Sequence, residues 1–232
     1  MKLLHHRTMT VGPELELEAT VFQSLPSIMP GWSDQSWSAG SARIGAGLPD
    51  ILIANWRPEL AAVPTWSRRV IDILTYFKSV ARAKLATAAE HLRLGERSLS
   101  NQLALLVDGG VLGHSRFGYF MTTPWRRILT EVTSVEVKVG NWKQATAQAR
   151  RNQLFVDRSY VALPAAAAAR AAVSSTISEN GIGVIAISDG GRVSIVRRAR
   201  ARPPKVWAYY FRVAALVAEG VANNDRSIRH LS

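Results

Sequence analysis

The sequence predicts an α/β fold: a mixed central sheet flanked by helices, interrupted by an inserted helical module. Three observations predict it. Towards both ends of the chain, apolar β-branched runs alternate with segments of helical spacing. The middle of the chain loses that alternation and carries consecutive helical patterns. Finally, 232 residues at 47% hydrophobic suffice to bury a core, which argues against a disordered chain.

The elements follow in order. Pro13 to Leu25 has acids at 14, 16 and 18 and apolar residues at 15, 17, 21, 22 and 25. That reads as a helix with proline in its first turn. Pro26 to Ser41, rich in Ser, Gly, Pro and Trp, reads as a loop. Arg43 to Ala54 reads as one or two strands around Pro49-Asp50. Arg57 to Trp66, with Pro58 and Pro64, reads as a connector. Helices are expected over Arg68 to Val80, Lys84 to Leu94 and Ser98 to Val107. In the last, Leu99, Leu103, Leu105, Leu106 and Val107 are expected to face mostly inward. Asp108-Gly109-Gly110 is a helix stop, and Val111 to Met121 a β-hairpin with a polar tip. Val132 to Val139 then reads as a strand and Trp142 to Leu154 as a basic helix. Ser159 to Leu163 is a strand, and Ala165 to Ile177 a helix of small residues. Gly183 to Ser188 and Val193 to Val196 are strands around Asp189-Gly190-Gly191. Arg197 to Lys205 is a basic loop, Trp207 to Gly220 a closing helix, and the tail after Asn223 is expected to fray.

Composition narrows the function. There are 29 Lys+Arg against 17 Asp+Glu, a net +12, which favours polyanionic partners. The absence of cysteine excludes disulfides, thiolate zinc sites and a cysteine nucleophile. The histidines, His5, His6, His91, His114 and His230, show no metal-ligand spacing, which argues against zinc. Gly45-x-Gly47 precedes a strand rather than joining strand to helix, so it is no dinucleotide fingerprint. No apolar run approaches the roughly 20 residues that span a bilayer. Met1 to Arg7 lacks a signal-peptide core. The expectation is a cytoplasmic protein with no membrane partner.

Two stretches carry the chemistry. Gly47-Leu48-Pro49-Asp50-Ile51-Leu52-Ile53 and Ser134-Val135-Glu136-Val137-Lys138-Val139 each set a carboxylate in an apolar run. A buried charge needs a metal or partner. Two acids and a lysine on adjacent strands could assemble a divalent-metal site, because Mg²⁺ takes hard oxygen ligands. Residues 136 and 138 are expected on one strand face. The ordinary alternative is a salt bridge on an edge strand. In order, the chain gives an acidic helix, Pro49-Asp50, Glu136-x-Lys138, a helix with Gln148, and the run Asp157-Arg158-Ser159-Tyr160-Val161-Ala162-Leu163-Pro164. This order resembles the PD-(D/E)XK, or restriction-endonuclease-like, nuclease superfamily over the chain outside the middle module. The resemblance implies Asp50 and Glu136 as ligands of Mg²⁺ or Mn²⁺. It implies Lys138 near the attacking water or scissile phosphate, and Gln148 as a hydrogen-bonding site residue. Glu18, with Glu14 as second choice, could add an acid from the first helix; a solvated helix face explains it equally well.

From Trp66 to Arg126, three helices and a hairpin resemble a winged helix-turn-helix. Nine Lys/Arg and four Asp/Glu give that stretch a local +5. Arg97, Ser98, Ser100, Asn101 and Gln102 lie at the start of its candidate recognition helix, where such side chains read base edges. Arg116 at the hairpin tip could reach a minor groove or a phosphate, and Arg197, Arg198 and Arg200 in the basic loop are candidate phosphate contacts. The expected organisation is a discontinuous nuclease-like domain over 1–65 and 127–232, with a winged module over 66–126. The functional expectation is a Mg²⁺-dependent endo- or exodeoxyribonuclease whose winged module positions duplex DNA. The alternatives are a non-catalytic DNA-binding regulator and an assembly module. A homodimer or a partner protein is compatible with each.

Overall fold

The structure, a computed structural model, describes residues 12–45, 47–223 and the backbone of 227 and 228. Expectations for His5, His6 and His230 lie outside the described residues.

The chain opens with helix α1 (Pro13–Ile28). It runs past Leu25 with Pro26 inside its last turn, at the loss of the one rung that proline's missing N–H would have made. Strand β1 (Ser36–Gly40) falls in the stretch expected to be loop. Its Ser36, Ser38 and Gly40 hide the strand, yet all five residues are buried, with Trp37 and Ala39 facing the core. Strand β2 is Ile51–Trp56, so Pro49-Asp50 precedes a strand rather than sitting inside one. A 3₁₀ turn at Pro58–Ala62 leads into α2 (Arg68–Ser79), α3 (Leu85–Leu92), α4 (Glu96–Asp108) and the hairpin β3 (Leu112–Ser115) and β4 (Gly118–Met121). Leu105 departs from its expected inward place and is 60% exposed; Leu99, Leu103 and Leu106 share the inner face.

The chain then returns to the sheet as β5 (Leu129–Val137), α5 (Trp142–Asn152) and β6 (Arg158–Pro164). The expected single helix after Pro164 is two, α6 (Ala165–Ala172) and α7 (Ser175–Asn180), broken at Val173-Ser174. Strands β7 (Gly183–Ile187) and β8 (Val193–Arg197), helix α8 (Trp207–Ala222) and the short β9 (Ser227–Ile228) complete the described chain.

The sheet is mixed, in the order β8-β7-β6-β5-β2-β1-β9. Its centre, β5-β6-β7, is parallel and crossed over by α5 and by α6 with α7. The flanking β2 and β8 are antiparallel to it. Helix α1 covers one face, packing Val21 and Leu25 on Ile51, Ile53, Val135 and Val137. On the other face, α5 and α6 cover Val161, Leu163 and Val184, while α8 covers Trp37, Leu52 and Val132. The interior of α2, α3, α4 and the hairpin is continuous with that last cluster through Tyr210, Phe211 and Val213 of α8.

The segment between β2 and β5 leaves and re-enters the sheet at adjacent points. Trp56 pairs with Leu129, and the Arg57 N–H donates to the Ile128 carbonyl at 3.0 Å. The Tyr210 hydroxyl locks this junction, accepting from the Leu129 N–H at 2.8 Å and donating to the Leu129 carbonyl at 3.0 Å. Tyr210→Phe removes partners from buried backbone groups, so urea unfolding should show a loss of about 1–3 kcal/mol. An unchanged midpoint would deny Tyr210 that role.

Among the described residues, no helix is long and apolar enough to cross a membrane.

Candidate active site

Asp50 and Glu136 meet because β2 and β5 pair directly. The register sets Ile51 against Val135, and one further step brings Asp50 to Glu136. Pro49 has no N–H for the ladder. The Val137 N–H instead donates to Asp50 Oδ2 at 2.8 Å, which fixes that carboxylate at the end of β5. Glu136, alternating with the α1-facing Val135 and Val137, points to the α5 side. There Asn152 Nδ2 donates to Glu136 Oε1 at 2.6 Å.

Both carboxylates open onto a cavity of about 260 Å³ lined by Gly47, Leu48, Asp50, Glu136, Gln148, Arg151 and Asn152. Gln148, Arg151 and Asn152 share one face of α5 through their i, i+3, i+4 spacing. Gly47 lets the loop approach: a Cβ there would collide with Asn152 Oδ1.

The electrostatics are those of a carboxylate pair out of water. Burial pushes Glu136 up to about 8, and the Asp50 charge pushes the same way. The Asn152 hydrogen bond, Lys138 and Arg151 oppose the shift without cancelling it. Among the described residues, Glu136 Oε2 and Gln148 Oε1 are buried with no hydrogen-bond donor. Two acceptor oxygens at one small cavity, both lacking a donor, suit a hard cation. No cluster of three or more His, Cys, Asp or Glu forms among the described residues; Asp50 and Glu136 are the acids that line this cavity.

Lys138 departs from the expected arrangement. Strand β5 ends at Val137, so strict alternation no longer directs the next side chain. Its ammonium donates to Glu14 Oε2 on α1 at 3.1 Å and to the Val137 carbonyl at 2.9 Å, and lies 3.7 Å from Asp50 Oδ2. It therefore reaches the site through Asp50. Glu14 on α1 pairs with Lys138, and Glu18 is buried one turn further along α1 and is not among the residues lining the cavity. Asn152 and Arg151 were not among the expected site residues. Their helical spacing from Gln148 was the signal that could have found them.

Among the expected nucleic-acid contacts, Arg97, Ser98 and Asn101 are exposed on the first turns of α4, while Ser100 and Gln102 are half-buried. Ser98 Oγ accepts from Arg69 at 3.3 Å. Arg116 is exposed at the hairpin tip, and Arg198 and Arg200 are exposed beyond β8. Arg197 is different. It ends β8, and its guanidinium donates to the Ala172 carbonyl at 3.0 Å and Ser178 Oγ at 2.8 Å, tying β8 to α6 and α7. Two of its donors are thus engaged inside the fold, where Arg197 acts as a clasp between β8 and the helices α6 and α7.

Comparisons with protein-family models, curated proteins and solved structures find no match.

Proposed function

We propose that this chain is a metal-dependent nuclease of the PD-(D/E)XK type, acting on DNA, with 66–126 serving as a winged helix-turn-helix that positions the duplex. One observation carries the reading. Asp50, just before β2, and Glu136 of the adjoining β5 border one cavity, with the Lys138 ammonium 3.7 Å from Asp50 Oδ2 and buried acceptor oxygens left over.

Asp50 and Glu136 would hold Mg²⁺ or Mn²⁺, which when bound acidifies water and offsets charge at phosphorus. The protein's own groups do the rest. Asn152 holds Glu136 Oε1 so that Oε2 remains for the cavity. Val137 orients Asp50. Lys138 keeps positive charge beside Asp50, and Arg151, exposed at the cavity, offers a fork for a phosphate oxygen. The exposed face of α4, with Arg97, Ser98 and Asn101, is the proposed groove-reading surface. A second reading, a DNA-binding regulator or assembly protein on the same scaffold, draws on the tie of Lys138 to Glu14, which engages the lysine away from substrate.

Nicking and linearisation of plasmid DNA in Mg²⁺ or Mn²⁺ test the proposal. Chelator, Asp50→Asn and Lys138→Ala are each expected to lower the rate by about 100- to 1000-fold. DNA binding without cleavage under either metal overturns the nuclease and leaves the regulator.

A further inference from the structure

We propose that the tip of the β3–β4 hairpin is a stacking platform for an unpaired nucleic-acid base, with Phe117 as its face and Arg82 and Arg116 as its phosphate grips. The inference rests on the nucleic-acid binding proposed above and narrows the substrate to frayed, overhanging or single-stranded ends.

Phe117 lies in the turn between β3 and β4 and is 55% exposed. The turn does not need its ring. Ser115 Oγ accepts the Phe117 N–H at 3.3 Å and donates to the Gly118 carbonyl at 3.3 Å, and Gly118 supplies a positive φ of 115°. Turns ordinarily carry small or polar residues at such points. The ring is instead dressed with cations. The Arg116 guanidinium lies 4.6 Å from its centroid, and that of Arg82 lies 5.5 Å from it and 5.4 Å from Phe120.

Arg82 is held in place by backbone. Ala83 forms a bridge with Tyr119, its N–H donating to the Tyr119 carbonyl at 3.0 Å and its carbonyl accepting from the Tyr119 N–H at 2.8 Å. At Gly118 a Cβ would strike the Ala83 carbonyl, so glycine permits this contact. The 81–84 segment thus becomes a third edge of the hairpin and carries Arg82 to the tip.

The charge there is uncompensated. Neither 80–85 nor 111–121 contains Asp or Glu, while Lys84 adds another exposed cation. The ion pairs among the described residues join other groups, Arg127 with Asp157, Lys138 with Glu14 and Asp50, and Arg158 with Glu131. An exposed aromatic ring attended by guanidinium groups that make no ion pair among the described residues matches a ligand that alternates flat rings with anions, which is a nucleic-acid strand. Paired bases inside a duplex keep their faces covered, so the available base is an unpaired one.

Fluorescence anisotropy in chelator, with a blunt duplex and a duplex carrying a single-stranded overhang, tests this. 2-Aminopurine in the overhang reports stacking. Wild type is expected to favour the overhang. Phe117→Ala should weaken overhang binding about 5- to 100-fold and abolish 2-aminopurine quenching, with under about 2-fold change on the blunt duplex. Phe117→Trp should restore both. Arg82→Gln should weaken both substrates and flatten the salt dependence. Overhang affinity indifferent to Phe117→Ala, or no nucleic-acid binding at low salt, overturns the platform. Because no cleavage is read, a chain that stacks but never cuts sinks only the nuclease. One that cuts but ignores Phe117 sinks only the platform.

Discussion

Glu136→Gln is expected to stabilise the metal-free protein above neutral pH, by an amount that grows with pH. The folded chain holds the Glu136 proton up to about pH 8, whereas an unfolded glutamate releases it near pH 4.3. Between those values the folded state binds more protons than the unfolded one, so stability falls as pH rises. Below about pH 4 the group carries no penalty. Beyond pH 8 the penalty is complete, on the order of 5 kcal/mol. Glutamine keeps the shape and the acceptor for Asn152 but has no charge to bury. Urea unfolding at pH 4, 6, 8 and 9 should give curves that converge in acid and separate in base. Added Mg²⁺ should raise the wild-type midpoint at pH 8 and leave Glu136→Gln unmoved. Parallel curves at all pH values would remove Glu136 as a strained, cation-seeking carboxylate.

Asp157→Ala should be the most disruptive single truncation outside the apolar core. Asp157 is buried at the start of β6. Its Oδ1 accepts from Arg127 at 2.7 Å and its Oδ2 accepts the Val132 N–H at 2.8 Å. Burial raises its pKa, and Arg127 opposes that. Removing it strands a half-buried guanidinium and a strand N–H together, a loss of about 3–5 kcal/mol. Glu131→Ala, which breaks the more exposed pair with Arg158 at 2.8 Å, should cost under about 1 kcal/mol. Equal denaturation midpoints for the two variants would refute the distinction.

What the sequence made legible follows from how each signal is encoded. Glu136 stood out because a carboxylate in an apolar run must have a reason to be there, and Asp50 because it sits against the next such run. The helices α2, α3 and α4 were legible because their apolar residues recur at helical spacing and glycine stops the last one. Strand β1 was not, because Ser36, Ser38 and Gly40 give no apolar alternation; neighbouring strands, not composition, bury them. Lys138 was placed by strand parity, but the strand stops one residue earlier, and its ammonium found Glu14. Asn152 was missed because its one signal, the i, i+4 spacing from Gln148, singles out no residue until that glutamine is known to face a cavity. Only the fold shows that it faces Glu136. Arg197 read as one more cation in a basic loop, and its partners Ala172 and Ser178 lie too far away in sequence to announce themselves.

The direct pairing of β2 with β5 also dictates the order in which the molecule comes together. Val137 and Asp50 stand 87 positions apart, and closing so wide a ring of flexible chain is entropically slow. Helices α3 and α4 and the hairpin pack on one another close in sequence, while α2 also packs on the distant α8. Once docked, they deliver Arg57 beside Ile128 and shrink the span still to be searched. The two carboxylates are therefore expected to meet late in folding, after the intervening helices have docked. Permutants opened inside that module should show the delay as slowed sheet formation.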